Sequence, residues 1–241
     1  MKTPQISVPK LAAALGITTE VWFKREDRHH YGSHKGRSIP LMIAEHHKAG
    51  ANSFVISSSG NAALAAGLTV QAHNKNKAHD PLTLRILVGQ KIEEQKLSRL
   101  KKELTNSAIT IERVDNPKQQ ALQQSQADHV VFLRQSTDDL ALTGYFSLAQ
   151  DLSKISDLAA VFVPTSSGTT AQGLYEGFKQ LGINPEIHIV QTTSCHPMVE
   201  MSQHPLTPLP GGVTTLSLAT AIVDKVAHRK EKVLEDRKSV V

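Results

Sequence analysis

The sequence predicts an α/β protein built on mostly parallel sheet, and three observations carry that expectation. Short apolar runs rich in β-branched residues, such as SFVIS and LTLRILVG, alternate with longer helix-like stretches. Strands that alternate with helices pair in parallel through right-handed crossovers. The small polar stretches fall where the strand-like runs end, which is where such folds bind ligands.

The elements follow in order. EVWFKRE (20–26) reads as a strand. SIPLMIAEHHKAG (38–50) reads as a helix closed by Gly50, with Pro40 near its start, where a missing N–H costs least. SFVIS (53–57) is a strand ending in SSGN, and AALAAGLTVQAHNK (62–75) an alanine-rich helix. LTLRILVG (82–89) is a strand; KIEEQKLSRLKKEL (91–104) is a helix with Leu97, Leu100 and Leu104 on one face and a solvated opposite face. AITIERV (108–114) and HVVFL (129–133) are strands flanking a weaker helix, PKQQALQQSQA (117–127). DLALTGYFSLAQDLSKI (139–155) reads as one helix, with Leu140, Gly144, Leu148 and Leu152 spaced by four. AAVFVP (159–164) reads as a buried strand, TTAQGLYEGFKQLG (169–182) as a helix closed by Gly182, and EIHIVQ (186–191) as a final strand.

The 241 residues, 39% hydrophobic and 20% charged, suit one large domain or two small lobes with a real core. The net charge of +5 is spread out, and acids interrupt the bases in KKEL and HRKEKVLEDRKSVV. With only three Tyr and one Trp for stacking, no nucleic-acid partner is expected; a basic pocket for a small anion fits the charge equally well. Cys195 is the single cysteine, so no intrachain disulfide can form and a reducing compartment is the simpler reading. There is no apolar leader and no apolar run of bilayer length, so a cytoplasmic protein without membrane contact is expected.

Three polar loops are candidates for chemistry. In VFVPTSSGTTAQGLYEGF a strand runs into Ser166, Ser167, Gly168, Thr169 and Thr170 and then into a helix. Small residues admit a close approach, and the unpaired N–H groups of a helix start favour an anion, so this is either a phosphate cup or a turn that caps the helix. It lacks the Gly-Lys-Ser/Thr of a Walker A loop and is not G-x-G-x-x-G. In VISSSGNAALAAG, Ser58, Ser59, Gly60 and Asn61 stand at a strand-to-helix junction, where Ser and Asn serve as caps or as donors to a carboxylate and a phenolic oxygen. In GSHKGR, Lys35 follows a Gly-Ser turn. Such a lysine is either a solvated surface residue or, in a dry cleft, an amine able to condense with an aldehyde. A phosphate cup, a carboxylate site and a lysine at strand ends are together the fittings for pyridoxal 5′-phosphate.

These stretches resemble a known family. KREDRHHYGSHKGR resembles the KxE…PTGSxKxR segment of the fold-type II pyridoxal-phosphate enzymes, which include threonine synthase, serine/threonine dehydratase and cysteine synthase. SSGNAALAAG resembles their S-S/T-G-N loop, VPTSSGTTAQG their glycine-rich phosphate loop, IVQTTSCHPM the strand and turn that follow, and TPQISVPKLAAALG their opening. The likeness covers residues 3 to about 225, with the motifs in the family's order.

The resemblance implies a two-lobed, tryptophan synthase β-like fold shortened at the C-terminus: a single catalytic unit over 1–241, with a smaller lobe of 36–150 and a larger lobe of 1–35 plus 151–241. It implies that Lys35 carries the cofactor as a Schiff base and moves the substrate's α-proton. Asn61 would meet the cofactor's ring hydroxyl oxygen, and Ser166, Ser167, Gly168, Thr169 and Thr170 would cradle its phosphate. Ser58, Ser59 and Gly60 would bind the substrate carboxylate. The implied activity is that of a lyase or β/γ-replacement enzyme on a small amino acid, acting as a homodimer, with SSSGNAA leaning toward the dehydratase and threonine-synthase branches. The alternatives are cysteine synthase-like replacement, a non-catalytic or partner-dependent protein of this fold, and a phosphosugar or nucleotide binder using the Ser/Thr cup alone. Two serines stand where the family's phosphate loop has glycines, Gly36 replaces an acidic residue, and no residue is assigned to face the pyridine nitrogen.

Other residues attract plainer readings. The twelve histidines suggest a metal, but His29–His30 and His46–His47 are adjacent pairs whose side chains should point apart on a strand or helix, so no metal site is expected. Cys195 reads as a small structural residue, and Arg25, Glu26 and Asp27 as an ion-paired strand end.

Overall fold

The computed structural model describes residues 2–126, 129–198, 217, 219, 221–222, 224 and 226–234. They group into two compact units, Met1–Arg134 and Gln135–Val241, so that residues 1–35 pack with 36–134.

The first unit opens with β1 (Gln5–Ser7), α1 (Pro9–Ala14) and β2 (Trp22–Lys24); β1 and β2 pair antiparallel, with Ile6 opposite Phe23. A 3-10 turn, Glu26–Arg28, leads to α2 (Lys35–Lys48). Then come β3 (Ser53–Ser57), α3 (Asn61–Asn76), β4 (Thr83–Gly89), α4 (Glu94–Glu103), β5 (Ile109–Val114), α5 (Pro117–Gln124) and β6 (Val130–Phe132). The strands form one parallel sheet in the order β5-β4-β3-β6. Val55 and Leu87 face α5 and pack on Ala121. Successive strand residues face opposite ways, so Phe54, Ile56, Leu84 and Ile86 lie on the other face, and they are equally buried. Both faces are therefore covered, which is why these strands read as continuous apolar runs.

Two details depart from the sequence reading. The strand 20–26 stops at Lys24, because Glu26 enters the 3-10 turn. The helix expected from residue 38 begins at Lys35, and Pro40 sits inside it. Polar residues 35–37 carry no apolar periodicity, so the sequence hides this first turn. The helix 117–127 ends at Gln124, and Ala127 lies outside the described residues.

The second unit holds α6 (Leu140–Thr143), α7 (Phe146–Leu152), β7 (Ala160–Pro164), α8 (Thr169–Gln180), β8 (Glu186–Val190) and α9 (Lys230–Leu234). β7 and β8 are parallel, joined through α8. Tyr145, Leu148, Ala149, Leu152, Val163, Ala171, Leu174 and Phe178 form the core. Gly173 and Gly177, one turn apart on α8, let Tyr145 and Ala149 come close: a Cβ on Gly173 would lie 2.9 Å from Tyr145 Cβ, and one on Gly177 2.7 Å from Ala149 Cβ. The single helix expected over 139–155 is divided at Gly144–Tyr145, where the Tyr145 N–H donates to Leu142 O three residues back and the ring is fully buried.

AAVFVP is not a buried strand among the described residues. Val163 is buried, but Phe162 is 67% exposed and stacks on His188 of β8, with ring centroids 4.6 Å apart. Apolar composition cannot tell a two-sided strand from a one-sided one.

Candidate active site

Lys35 is the first residue of α2 and half-buried; its N–H donates to Ser33 Oγ at 3.2 Å. Gly32, at φ +77°, makes the turn before it, in the left-handed region that glycine adopts without cost. Two residues further on, Arg37 is buried and grips Glu26, Nε to Oε2 at 2.7 Å and Nη2 to Oε1 at 2.8 Å. Thr3 donates its hydroxyl to Glu26 and accepts from Arg37 Nη2 at 3.1 Å. Lys24 Nζ donates to Thr3 O at 2.9 Å and Gln5 Oε1 at 3.1 Å. The KxE and KxR segments are thus tied to each other and to the N-terminal ribbon, and the turn bearing Lys35 is fixed from both sides.

Burial alone would raise the Glu26 carboxyl, but hydrogen bonds from Arg37 and Thr3 outweigh it and hold the group below its ordinary range. His34, the residue before Lys35, is pushed down to about 3 by burial, helped by the positive charges of Lys35 and Arg37. It is therefore neutral at physiological pH. Gly36, where the family carries an acid, has no room for a side chain: a Cβ there would collide with the His29 ring and lie 2.7 Å from Tyr31 Cβ.

Asn61 is the first residue of α3, directly after β3. Ser58 and Ser59 are half-buried and Gly60 exposed. The capping reading fails here: α3 has no side-chain cap, and Ser58 Oγ instead accepts from Gly60 N–H at 3.3 Å. α2 and α3 pack together, and His47 and His73, each twelve residues on from Lys35 and Asn61, meet with ring centroids 5.0 Å apart. A Cβ on Gly32, just before α2, would lie 3.8 Å from Leu64 Cδ2 in the first turn of α3, so the starts of the two helices are neighbours as well.

In the second unit, Gly168 caps α8 at φ +86°, and its N–H donates to Thr165 Oγ1 at 3.1 Å. Ser167 and Thr169 hydroxyls are 3.0 Å apart, and Thr169 Oγ1 donates to Gln135 O at 3.4 Å. Ser166, Thr169 and Thr170 are buried. The first turn of α8 holds no acid. Beside it Arg229 is buried, donating to Asp139 Oδ1 at 2.8 Å, Gln172 Oε1 at 3.1 Å, Asp138 O at 2.9 Å and Gln135 O at 3.1 Å. Its Nε is buried with no hydrogen-bond partner among the described residues. Asp139 supplies the anion that offsets a cation at the positive end of the helix. Hydroxyls, helix-start N–H groups and a buried arginine with a spare donor are a donor set that fits a phosphate.

Sequence reasoning missed the residues that hold these loops. Gln191 Nε2 donates to Thr165 O at 3.0 Å, while its Oε1 accepts from Met198 N–H at 3.0 Å, bracing the 166–170 loop from the following turn. Glu26 was expected in a strand-end cluster with Arg25 and Asp27; those two do pair at 2.7 Å, but Glu26 turns inward to Arg37. The matched KxE and KxR spacings were the available signal. Arg229 had none. Cys195 is buried, and its Sγ donates to Asp224 O at 3.3 Å. His29 and His30, expected to point apart, follow the 3-10 turn in irregular backbone and stack at 4.8 Å.

The family described as "Pyridoxal-phosphate dependent enzyme" matches residues 1–235. Among solved structures, a pyridoxal 5′-phosphate-dependent aspartate racemase is 18% identical with a TM-score of 0.79, covering 100% of this chain and 73% of its own. The processed form of threonine deaminase isoform 2 from Solanum lycopersicum is 21% identical with a TM-score of 0.68, covering 82% of this chain; this chain spans only 56% of it. A fungal L-serine ammonia-lyase from Rhizomucor miehei is 19% identical with a TM-score of 0.65, covering 80% of this chain and 60% of its own. No curated protein sequence matches the chain significantly. No helix among the described residues is long and apolar enough to cross a membrane. The chain has the tryptophan synthase β-like α/β fold, and it belongs to the pyridoxal-phosphate dependent enzyme family, with pyridoxal 5′-phosphate as its cofactor.

Proposed function

We propose that this chain is a lyase or β/γ-replacement enzyme acting on a small amino acid, with 1–241 as a single catalytic unit. The observation that carries the reading is the Lys35 turn, locked by the Arg37–Glu26 pair at the end of α2 that it shares with Asn61 of α3. Bound pyridoxal phosphate supplies an aldehyde for an amine and an electron sink for charge developing at the substrate's Cα. Lys35 Nζ would be the amine that holds it and, when free, would take the substrate's α-proton. Neutral His34 adds no cation beside that nitrogen. Asn61 donates to the ring hydroxyl oxygen, and Ser166, Ser167, Gly168, Thr169 and Thr170 hold the phosphate. Ser58, Ser59 and Gly60 hold the substrate carboxylate. Loss of the β-substituent followed by hydrolysis with one water would yield a 2-oxo acid and ammonia, or a nucleophile would take the substituent's place.

A second reading is retained because the aspartate racemase likeness extends over 100% of this chain: the proton taken by Lys35 could be returned to the substrate's opposite face. The deciding experiment adds the cofactor to purified protein, reduces with borohydride and maps the modified peptide. Modification at Lys35, lost in Lys35→Ala, is expected. L-serine, L-threonine, O-acetyl-L-serine and L-aspartate are then assayed for 2-oxo acid, replacement product and D-enantiomer. Cofactor capture without turnover favours a non-catalytic or partner-dependent protein. Phosphate-ligand binding unchanged in Lys35→Ala with no covalent capture would favour a simple phosphate binder and overturn the proposal.

A further inference from the structure

The far ends of α2 and α3 carry a second constellation, about 18 Å along each helix from Lys35 and Asn61 at 1.5 Å per residue. One ring nitrogen each of His47 and His73 and one carboxylate oxygen of Asp80 lie within 4.8 Å of one another. His47 Nε2 is 3.0 Å from Asp80 Oδ2. All three residues are half-buried, and none has a part in the cofactor site.

The surroundings orient the group. His47 Nδ1 is 3.2 Å from Ala51 O and 2.9 Å from Asn52 Oδ1. A backbone carbonyl can only accept, so Nδ1 carries the hydrogen. Nε2 then either holds a second proton toward Asp80 or presents its lone pair to a cation the two share. Metal-ligating histidines are commonly oriented in this way, by an N–H on the other nitrogen held to a carbonyl. With His73 Nε2–H donating to Asp80 O at 2.9 Å, Nδ1 is the nitrogen left to ligate; Lys77 N–H donates to His73 O at 2.8 Å and Asp80 N–H to Lys77 O at 3.1 Å, closing residues 77–80 into a turn against α3. Asn74 fastens the next residues by accepting from Leu82 N–H at 2.8 Å and donating to Leu82 O at 2.9 Å. The ligands therefore sit on two packed helices and a pinned turn.

We propose that His47, His73 and Asp80 bind a divalent transition ion, zinc above all, independently of pyridoxal phosphate. Two imidazoles and one carboxylate suit zinc and its neighbours, whereas magnesium and calcium require all-oxygen sets. Ligand atoms of a zinc ion lie about 3.0–3.4 Å apart, from bonds of about 2.0–2.1 Å; His47 Nε2 and Asp80 Oδ2 already have that spacing at 3.0 Å, and the His73 nitrogen, within 4.8 Å of both, would have to draw in. Water completes the coordination. The ion fastens the end of α2 to that of α3 and to the turn leading into β4.

The test uses tag-free, chelator-treated full-length protein with its cofactor, titrated with Zn²⁺ and, for a ligand-field spectrum, Co²⁺. One saturable equivalent is expected, with a thermal midpoint raised by a few degrees. His73→Ala and the nearly isosteric Asp80→Asn should each weaken binding at least about tenfold and abolish the thermal shift, while His188→Ala leaves both unchanged. Circular dichroism of Asp80→Asn confirms that the fold is kept. No saturable binding to the wild type, or equal binding by the wild type and Asp80→Asn, overturns the proposal.

Discussion

Arg37 and Glu26 are joined by two nearly parallel hydrogen bonds, at 2.7 and 2.8 Å, with the arginine side chain only 1% exposed. Removing one partner leaves the other charged in a dry site. Glu26→Ala should cost about 3–5 kcal/mol of stability, read by urea unfolding. Arg37→Lys keeps the charge but loses the fork, so it should recover only part of that loss. Both should lower borohydride-trapped cofactor at Lys35. An Arg37→Lys protein as stable as the wild type would show that the two-point geometry is not what holds this turn.

Gly36 stands where the resembled segment has an acidic residue, and the His29 ring leaves no room there for a side chain. Gly36→Ala should destabilise the fold by about 1–3 kcal/mol through overpacking. His29→Ala removes the ring but leaves Tyr31 Cβ at 2.7 Å, so the double variant should be partly relieved and less damaged than the sum of the singles. Strict additivity in that double-mutant cycle would refute the steric explanation.

Stability should fall on mild acidification. His34 sits at about 3 in the fold against an ordinary value of 6.5. Between those values the unfolded chain takes up a proton that the folded chain refuses. Stability therefore drops as pH falls through that window and is insensitive to this group above it. Glu26, held low in the fold, adds a loss in the same direction once pH reaches the ordinary carboxylate range. His34→Gln should flatten the upper part of the profile and leave the lower part. Thermal midpoints of both proteins from about pH 4.5 to 8 measure this; parallel curves would exclude His34 as the cause.

Gly168 combines φ +86° with close neighbours, since a Cβ would lie 2.5 Å from Met198 Cε and 3.1 Å from Val233 Cγ2. Gly168→Ala should cost about 1–2 kcal/mol for the left-handed backbone alone, and more for the contact. Met198→Ala in the same chain relieves only the contact, so partial recovery is expected. Cofactor affinity, followed by absorbance, should fall with Gly168→Ala. Unchanged affinity would detach this loop from phosphate binding.

Much of the fold was readable from residue order. SFVIS and LTLRILVG became β3 and β4 within a residue, because strands buried on both faces need uninterrupted apolar side chains. Two of the polar loops were legible because small and hydroxyl-bearing residues cluster where strands end; the Lys35 turn lies beyond the 3-10 turn, away from any strand end, and was legible from its Gly-Ser-His-Lys order. AAVFVP misled for a related reason: its composition matches that of a two-sided strand, yet Phe162 faces outward. The first turn of α2 was hidden because Lys35, Gly36 and Arg37 are polar or small, although Gly36 and Arg37 are buried by partners elsewhere in the chain.

The sequence by itself determined the alternation of strands and helices, the helix start at Thr169, and the chemical types gathered at each loop. Tertiary structure alone decided that Glu26 turns to Arg37 rather than to its neighbours, that Arg229 returns to the start of α8, and that His47 meets His73 and Asp80. Periodicity is a local property, carried by side chains a few residues apart. Ion pairs, hydrogen bonds and ring contacts join residues 11, 57 and 26 positions apart, as in Glu26–Arg37, Gln172–Arg229 and His47–His73, and only the folded path of the backbone brings such groups together.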